Sequence, residues 1–168
     1  MNPDLFWIAG PWTGRLAIAA RPRGGEWLED EANGWRRAGI EVVLSLLERD
    51  EADQLGLDDE RRAAEANGIR FISFPIPDRG IPASAAAAMS LIIALASALD
   101  AGKNVAVHCR QGIGRSGLIA AGILATSGMQ PNQAIEIVSA ARGLSIPETP
   151  EQRLWVQQLP TRLSVVSR

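Results

Sequence analysis

Cysteine is almost absent from this chain, since Cys109 is the single one among 168 residues. No internal disulfide can therefore form, and this usage fits a reducing compartment. The N-terminal residues, Met1 to Asp4, also lack the basic start and long apolar core of a signal peptide. From these two absences we expect a cytoplasmic protein.

Long hydrophobic runs and an excess of one charge are lacking as well. The longest apolar stretch, 83–99, is rich in alanine and interrupted by serines, and it is too short for a good membrane span. The net charge of −2 gives no reason to expect nucleic-acid binding, although it does not exclude a local basic pocket. Lys103 is the single lysine and the other 16 basic residues are arginines. Arginine holds phosphate well, but genomic composition is an alternative explanation of this bias. We expect neither a membrane nor a nucleic-acid partner.

The length of the chain suits one well-buried core and is short for two. Its content of 46% hydrophobic and 21% charged residues is typical of a soluble globular domain. No repeat or linker divides the sequence. We predict a single domain over residues 1–168 and expect it to be a monomer.

Short apolar runs alternate with helical patterns along the chain. Strands are predicted over 5–9, 16–20, 41–47, 70–75 and 104–108, with the first two forming a hairpin-like pair. Helices are predicted over 26–38, 58–67, 82–101, 116–126, 131–141 and 148–158. This alternation predicts an α/β fold with a central, mostly parallel sheet that helices cover on both faces.

The segment 108–117, HCRQGIGRSG, lies between a predicted buried strand and an apolar helix. Gly112 and Gly114 allow the backbone to curl tightly with its N–H groups pointing inward. The helix that follows presents its positive end to the same point. Because ligands of such sheets bind beyond the carboxyl ends of the strands, the segment predicts an anion-binding cradle there.

The side chains of this segment point to a cysteine nucleophile. A lone cysteine is most often a small buried hydrophobe, but Cys109 and Arg115 stand at the two ends of the cradle. Arg115 can bind two phosphate oxygens while the Cys109 sulfur attacks phosphorus in line. The cradle amides and the helix dipole should lower the pKa of Cys109. Ser116 could donate a hydrogen bond to the sulfur and make it a better leaving group.

Cleavage of a phosphate ester expels an alkoxide or phenoxide, which a carboxylic acid should protonate. Asp78 is the best candidate, because its segment 74–82, FPIPDRGIP, follows a predicted strand and precedes a helix. If the strands are parallel neighbours, Asp78 emerges at the same sheet edge as Cys109. The rival aspartates belong to what the pattern indicates is a solvated helical face, namely Asp50, Asp53, Asp58 and Asp59.

HCRQGIGRSG resembles the signature loop of the protein tyrosine phosphatase superfamily, His-Cys-x5-Arg-Ser/Thr, and the chain's length is similar to that of its small dual-specificity branch. The resemblance extends over about residues 16–156. It implies a phosphatase with a phosphocysteine intermediate and with neither metal nor organic cofactor. It makes Cys109 the nucleophile, Arg115 the phosphate-binding arginine and Ser116 the hydroxyl that aids the second step, while His108 braces the loop.

The same resemblance assigns further residues to the site. The other loop residues would bind substrate: Arg110, Gln111, Gly112, Ile113 and Gly114. The segment around Asp78 is similar to the family's acid loop, and Arg79 beside it could meet a second phosphate or an acidic flank. Gln152 lies in a segment that resembles a loop positioning the hydrolytic water in some members, although Glu148-Thr149 is also typical of helix capping.

The loop composition bears on the substrate. Phosphoinositide phosphatases of this superfamily usually carry lysines at the variable loop positions, and this loop has none. The absence of tyrosine and the short chain also disfavour the deep, aromatic-walled pocket of phosphotyrosine-only enzymes. We therefore expect a phosphorylated protein substrate, with phosphotyrosine and also phosphoserine or phosphothreonine accepted. Nucleotide, RNA 5′ or inositol phosphates are the alternative substrates, and a rhodanese-type sulfurtransferase or a non-catalytic phosphate-binding module are the alternative functions.

Overall fold

The computed structural model describes residues 4–159 of the chain. Five strands form one sheet in the order β1-β2-β5-β3-β4. The strands are β1 (Leu5–Ile8), β2 (Leu16–Ala19), β3 (Val42–Ser45), β4 (Arg70–Ser73) and β5 (Val105–His108). β1 runs antiparallel to β2, and every other neighbouring pair is parallel. The predicted hairpin-like pair and the mostly parallel sheet are confirmed.

Helices cover both faces of this sheet. They are α1 (Leu28–Arg37), α2 (Arg49–Gln54), α3 (Glu60–Ala66), α4 (Ala85–Asp100), α5 (Gly114–Thr126), α6 (Pro131–Arg142) and α7 (Pro150–Gln157). Side chains alternate along β5, so Val105 and Val107 belong to the larger apolar core while Ala106 belongs to the smaller one. The larger core contains residues of α4 to α7, and the smaller contains residues of α1 and α3. The predicted α/β fold class is thereby confirmed.

Several helices begin later than predicted, and side chains cap two of them. The helix predicted over 82–101 begins at Ala85, since the Ser84 hydroxyl accepts a hydrogen bond from the Ala87 amide at 3.1 Å. The helix predicted over 148–158 begins at Pro150, because Thr149 caps it. The first part of the segment 26–38 is a 3₁₀ turn, Gly25–Trp27, rather than α-helix. The sequence did not predict α2.

Three loops leave the sheet at the edge where β3, β4 and β5 end. Backbone hydrogen bonds continue past the strands, from the Leu46 amide to the His108 carbonyl at 3.0 Å and from the Ile76 amide to the Leu46 carbonyl at 3.1 Å. These bonds hold the chain after β4 against the chain after β3, and that chain in turn against the end of β5. The segment that carries Asp78 therefore reaches the end of the strand that precedes Cys109.

The predicted single domain, 1–168, includes residues 1–3 and 160–168, which lie outside the described residues. None of the helices between residues 4 and 159 has the length and apolar character that crossing a bilayer requires.

Candidate active site

The cysteine loop, residues 109–115, connects β5 directly to α5. Gly112 has a φ of 71°, in the left-handed region that favours glycine. This conformation brings its amide to 3.3 Å from the Cys109 sulfur, to which it donates. α5 starts inside the loop at Gly114, two residues earlier than predicted, so its N-terminus adjoins the sulfur. The loop thus has the local geometry of an anion cradle.

Cys109 is buried, with 3% of its surface exposed. Burial disfavours the thiolate, but the Ser116 side chain and amide, the Gly112 amide and the charge of Arg115 outweigh this effect and lower the pKa of Cys109. The Ser116 hydroxyl is buried and forms no hydrogen bond of standard geometry with residues 4–159. The Cys109 sulfur is therefore the group to which this hydroxyl can donate a hydrogen bond.

Arg115 is almost completely buried at the start of α5. Its Nη1 donates to the Ile76 carbonyl at 2.9 Å and lies 3.5 Å from the Leu46 carbonyl. Its Nη2 donates to Asp78 Oδ1 at 3.1 Å. The guanidinium is thus held by both neighbouring loops, and it joins Asp78 to the cysteine loop.

Glu51 is a site residue that the sequence analysis did not identify. It lies on α2, and its Oε1 and Oε2 accept from Arg115 Nη1 at 2.6 Å and Nη2 at 3.0 Å. Burial favours its neutral form, but the hydrogen bonds from Arg115 and the Glu48 amide, with the Arg115 charge, outweigh burial and lower the pKa of Glu51. Glu51 therefore fixes one edge of the guanidinium and leaves the other edge for an anion.

The acid loop, residues 74–82, reaches the cysteine loop through Asp78. The Asp78 side chain is 55% exposed, so it faces both Arg115 and solvent. Arg79, next in sequence, has a φ of 61°, and its Nη1 pairs with Glu148 Oε1 at 2.8 Å. The pocket described below is not lined by any of the rival aspartates, namely Asp50, Asp53, Asp58 and Asp59.

Gln152 lies beneath the acid loop. Its Nε2 donates to the Gly80 carbonyl at 2.9 Å, and its Oε1 accepts from the Thr149 amide at 3.2 Å. The Thr149 hydroxyl accepts from the Gln152 amide at 3.1 Å, which completes a capping box at the start of α7. Both the acid-loop contact and the capping chemistry are therefore present.

His108 contacts both the cysteine loop and α3. Its Nδ1 lies 3.2 Å from the Cys109 carbonyl, and its Nε2 lies 2.6 Å from Glu60 Oε2, with both side chains buried. Burial disfavours the imidazolium, but the charge and hydrogen bond of Glu60 outweigh burial and raise the pKa of His108. Glu60 belongs to the predicted helix 58–67, but no pattern in the sequence indicates that it points inward.

Arg142 is a second brace that the sequence analysis missed. Its Nε donates to the Gly112 carbonyl at 3.0 Å and its Nη2 donates to the Gln111 carbonyl at 3.1 Å. Arg142, at the end of α6, thus holds these two carbonyls on the outer side of the loop. The N–H groups of the same peptide bonds point the opposite way and can face the centre of the cradle.

A pocket of about 120 Å³ opens above Cys109. Its lining combines three arginines with two carboxylates: Asp78, Arg79, Cys109, Arg110, Gln111, Gly114, Arg115 and Glu148. Of the residues predicted to bind substrate, Gly112 and Ile113 are not in this lining, and Ile113 packs against the larger core. Among residues 4–159, no three His, Cys, Asp or Glu side chains are grouped to hold a metal ion.

Comparisons with known proteins agree with this geometry. A family model described as "Polymorphic toxin system, DSP-PTPase phosphatase" matches residues 18–129, which include Asp78 and the whole cysteine loop. The chain is 25% identical over 139 residues to cyclin-dependent kinase inhibitor 3 of Rattus norvegicus, covering 82% of this chain and 65% of that protein. It is 41% identical over 129 residues to protein tyrosine phosphatase domain-containing protein 1 of Mus musculus, covering 71% of this chain and 17% of that protein. The chain therefore spans less than two thirds of these relatives.

Solved structures share the fold along nearly the whole chain. Kinase associated phosphatase, with its catalytic-site cysteine replaced by serine, superposes with a TM-score of 0.89 at 21% identity and covers 98% of this chain and 97% of its own. Tk-PTP in its active form superposes with a TM-score of 0.77 at 26% identity and covers 96% and 99%. The resemblance drawn from the cysteine loop is confirmed, and the chain belongs to the small dual-specificity branch of the protein tyrosine phosphatase superfamily.

Proposed function

We propose that this chain hydrolyses phosphate monoesters on tyrosine, serine and threonine side chains of proteins, through a phosphocysteine intermediate. The observation that carries the proposal is the meeting of Cys109, Arg115 and Asp78 in one pocket, with Asp78 Oδ1 3.1 Å from Arg115 Nη2. Nucleophile, anion-binding group and carboxylic acid are the three groups that this chemistry requires.

In the first step the substrate phosphate replaces Asp78 at the guanidinium edge that Glu51 leaves open. The Cys109 thiolate attacks phosphorus, so an S–P bond forms while the P–O ester bond breaks. The leaving oxygen takes a proton from the Asp78 carboxylic acid. Arg115 and the loop amides stabilise the charge on the phosphoryl oxygens during the transfer.

In the second step a water molecule attacks the phosphocysteine. Asp78, now a carboxylate, accepts a proton from this water as the P–O bond forms and the S–P bond breaks. The sulfur leaves as a thiolate, and a hydrogen bond from the Ser116 hydroxyl stabilises it. Inorganic phosphate and the starting form of the enzyme result.

The charge balance of the pocket supports a substrate with one phosphate. Arg79 pairs with Glu148 at 2.8 Å, Arg115 pairs with Glu51 at 2.6 Å, and Arg110 lies 3.7 Å from Glu51 Oε2. The three arginines of the pocket lining thus share two carboxylates, Glu148 and Glu51, and the one surplus positive charge leaves little for the further phosphates of an inositol polyphosphate. The similarity to protein tyrosine phosphatase domain-containing protein 1 also supports a phosphoprotein substrate.

The deciding experiment is hydrolysis of para-nitrophenyl phosphate without added metal, over about pH 4 to 8. Wild type should turn over, Cys109→Ser should be inactive, and Asp78→Asn should lose the fall in rate on the alkaline side. Full activity of Cys109→Ser, or sulfur transfer from thiosulfate by wild type, would contradict the proposal. A panel of phosphopeptides, nucleoside monophosphates and inositol phosphates then distinguishes the substrate classes.

We also propose that residues 1–168 act as one cytoplasmic, monomeric domain. The continuous larger core, to which β2, β5 and α4 to α7 contribute, supports a single folding unit over the described residues. Light scattering after size exclusion would check the monomer, and a dimer mass would contradict it.

A further inference from the structure

Gln152 is completely buried, and both the oxygen and the nitrogen of its side-chain amide form hydrogen bonds. Its oxygen accepts from the Thr149 amide, within α7's own cap. Its nitrogen donates to the Gly80 carbonyl at 2.9 Å, across 72 positions of sequence. The cap needs only the oxygen, so the bond to Gly80 is a separate contact with the acid loop.

Gln152 also lies directly against the cysteine loop. A Cβ atom added at Gly114 would come within 2.8 Å of Gln152 Oε1 and 3.0 Å of Nε2. The absence of a side chain at Gly114 therefore creates the space that this amide occupies. Gln152 is consequently packed between the start of α5 and the acid loop.

The bonded carbonyl belongs to the turn that presents Asp78. The Gly80 amide donates to the Pro77 carbonyl at 2.8 Å, which closes a turn with Asp78 and Arg79 as its central residues. Arg79 holds a φ of 61° there, a conformation that a residue with a side chain adopts at a cost. A turn with this strain persists when its surroundings hold it, and the bond from Gln152 fixes its last residue.

We propose that Gln152 is a positioning residue, which holds the acid loop and with it Asp78 over the cysteine loop. The inference rests on the proposed function, because it assigns Gln152 to the step in which Asp78 protonates the leaving group. The competing role, orienting the hydrolytic water, belongs to the second step. The two roles therefore predict effects on different kinetic constants.

Two variants separate the acid-loop contact from the cap. Gln152→Leu removes the bond to Gly80 and one half of the capping box, whereas Thr149→Val removes the other half and keeps the bond to Gly80. Gln152→Glu is a further variant: its carboxylate still accepts in the cap, as glutamate does in standard capping boxes, but it cannot donate to the Gly80 carbonyl. Gln152→Glu replaces Gln152→Leu if the latter fails to fold.

The first measurement is kcat/KM for phenyl phosphate and para-nitrophenyl phosphate. This constant covers the chemistry up to formation of phosphocysteine and excludes its hydrolysis. We expect Gln152→Leu to lower it about tenfold for phenyl phosphate, whose leaving group needs the acid, and much less for the better nitrophenolate leaving group. Thr149→Val should stay within about twofold of wild type for both substrates. In an Asp78→Asn background, Gln152→Leu should cost less than about twofold, since the acid it positions is gone.

The opposite kinetic pattern would overturn the inference. If Gln152→Leu lowers kcat, leaves kcat/KM unchanged for both substrates and accumulates phosphocysteine in acid-quenched samples, Gln152 acts on the water instead. An equal loss of kcat/KM with both substrates would also contradict a role through the acid.

Hydrogen exchange tests the same contact without turnover. The backbone amides of residues 78–81 should exchange faster in Gln152→Leu than in wild type and Thr149→Val. Unchanged protection in Gln152→Leu would overturn the inference. If wild type proves inactive toward every phosphate ester, the proposed function fails, and the exchange rates still decide whether Gln152 holds the acid loop.

Discussion

Glu51 and Arg115 form a two-point ion pair across 64 positions of sequence, with both carboxylate oxygens accepting from the two terminal guanidinium nitrogens. The Arg115 side chain is 2% exposed and that of Glu51 is 12% exposed. Water screens such a pair little, and breaking it leaves an uncompensated buried charge. The pair determines which edge of the arginine faces the pocket.

Glu51→Gln should therefore lower the free energy of unfolding by about 1–3 kcal/mol at neutral pH, measured by urea denaturation. Because the pKa of Glu51 is lowered in the folded state, its contribution is complete above the ordinary glutamate value of about 4.3 and is lost as pH falls through the lowered value. The difference between wild type and variant should thus shrink in acid. Asp53→Asn, at an exposed position of the same helix, is the control and should change little.

Ser116→Ala should raise the pKa of Cys109, because the Ser116 side chain is the largest of the influences that lower it. The pH dependence of alkylation by iodoacetamide measures this, since the chain has one cysteine. The midpoint should move to higher pH. Thr126→Val removes another buried hydroxyl of α5 that lacks a hydrogen-bond partner among residues 4–159 and should leave the midpoint unchanged. An unmoved midpoint in Ser116→Ala would show that the hydroxyl does not act on the sulfur.

Gly112→Ala should destabilise the protein and slow turnover. The left-handed conformation alone costs a residue with a side chain about 1–2 kcal/mol, and the new Cβ would lie 3.2 Å from Ile18 Cγ2. Gly143→Ala is matched in conformation, with a φ of 77° and no atom within 4 Å of the added Cβ. Thermal unfolding should show a larger decrease in Tm for Gly112→Ala than for Gly143→Ala. If both variants lose the same amount of Tm and Gly112→Ala turns over substrate as fast as wild type, the cysteine loop tolerates the methyl group.

Glu60→Gln should make stability less dependent on pH. Because Glu60 raises the folded-state pKa of His108, the pair's contribution is complete below the ordinary histidine value of about 6.5 and is lost as pH rises through the raised value. In urea denaturation, the variant should lose more free energy of unfolding, relative to wild type, below about pH 6.5 than at a pH well above the raised value. Glu65→Gln, an exposed site on the same helix, should cost little at any pH. If the variant loses the same free energy of unfolding at every pH tested, His108 is not the titrating group.

The cysteine loop could be predicted from sequence because its residues are contiguous and its conformation depends on its own glycines. The residues that orient it could not, because Glu51, Glu60 and Arg142 act across 64, 48 and 30 positions. Glu51 lies in a six-residue helix among other charges, where no apolar periodicity shows which carboxylate points inward. The interpretation of this region as a solvated face holds for Asp53, which is exposed, but not for Glu51.

Helix starts illustrate the same limit at short range. The sequence predicts that α4 starts at Pro82, yet Ser84, two residues later, supplies its cap and the helix begins at Ala85. Pro150, by contrast, lies within the first turn of α7. A capping side chain and a first-turn proline are both frequent near helix starts, so the geometry is needed to choose between them.

Both ends of the cysteine loop are anchored in buried structure. All residues of β5 are buried, and so are residues 114–125 of α5. Substitutions in these two elements reach the nucleophile through direct packing, whereas exposed positions of α1 and α3 can change without moving it. Mutational tolerance should therefore rise with distance from the β5–α5 junction, which allows 21% identity to kinase associated phosphatase to coexist with a TM-score of 0.89.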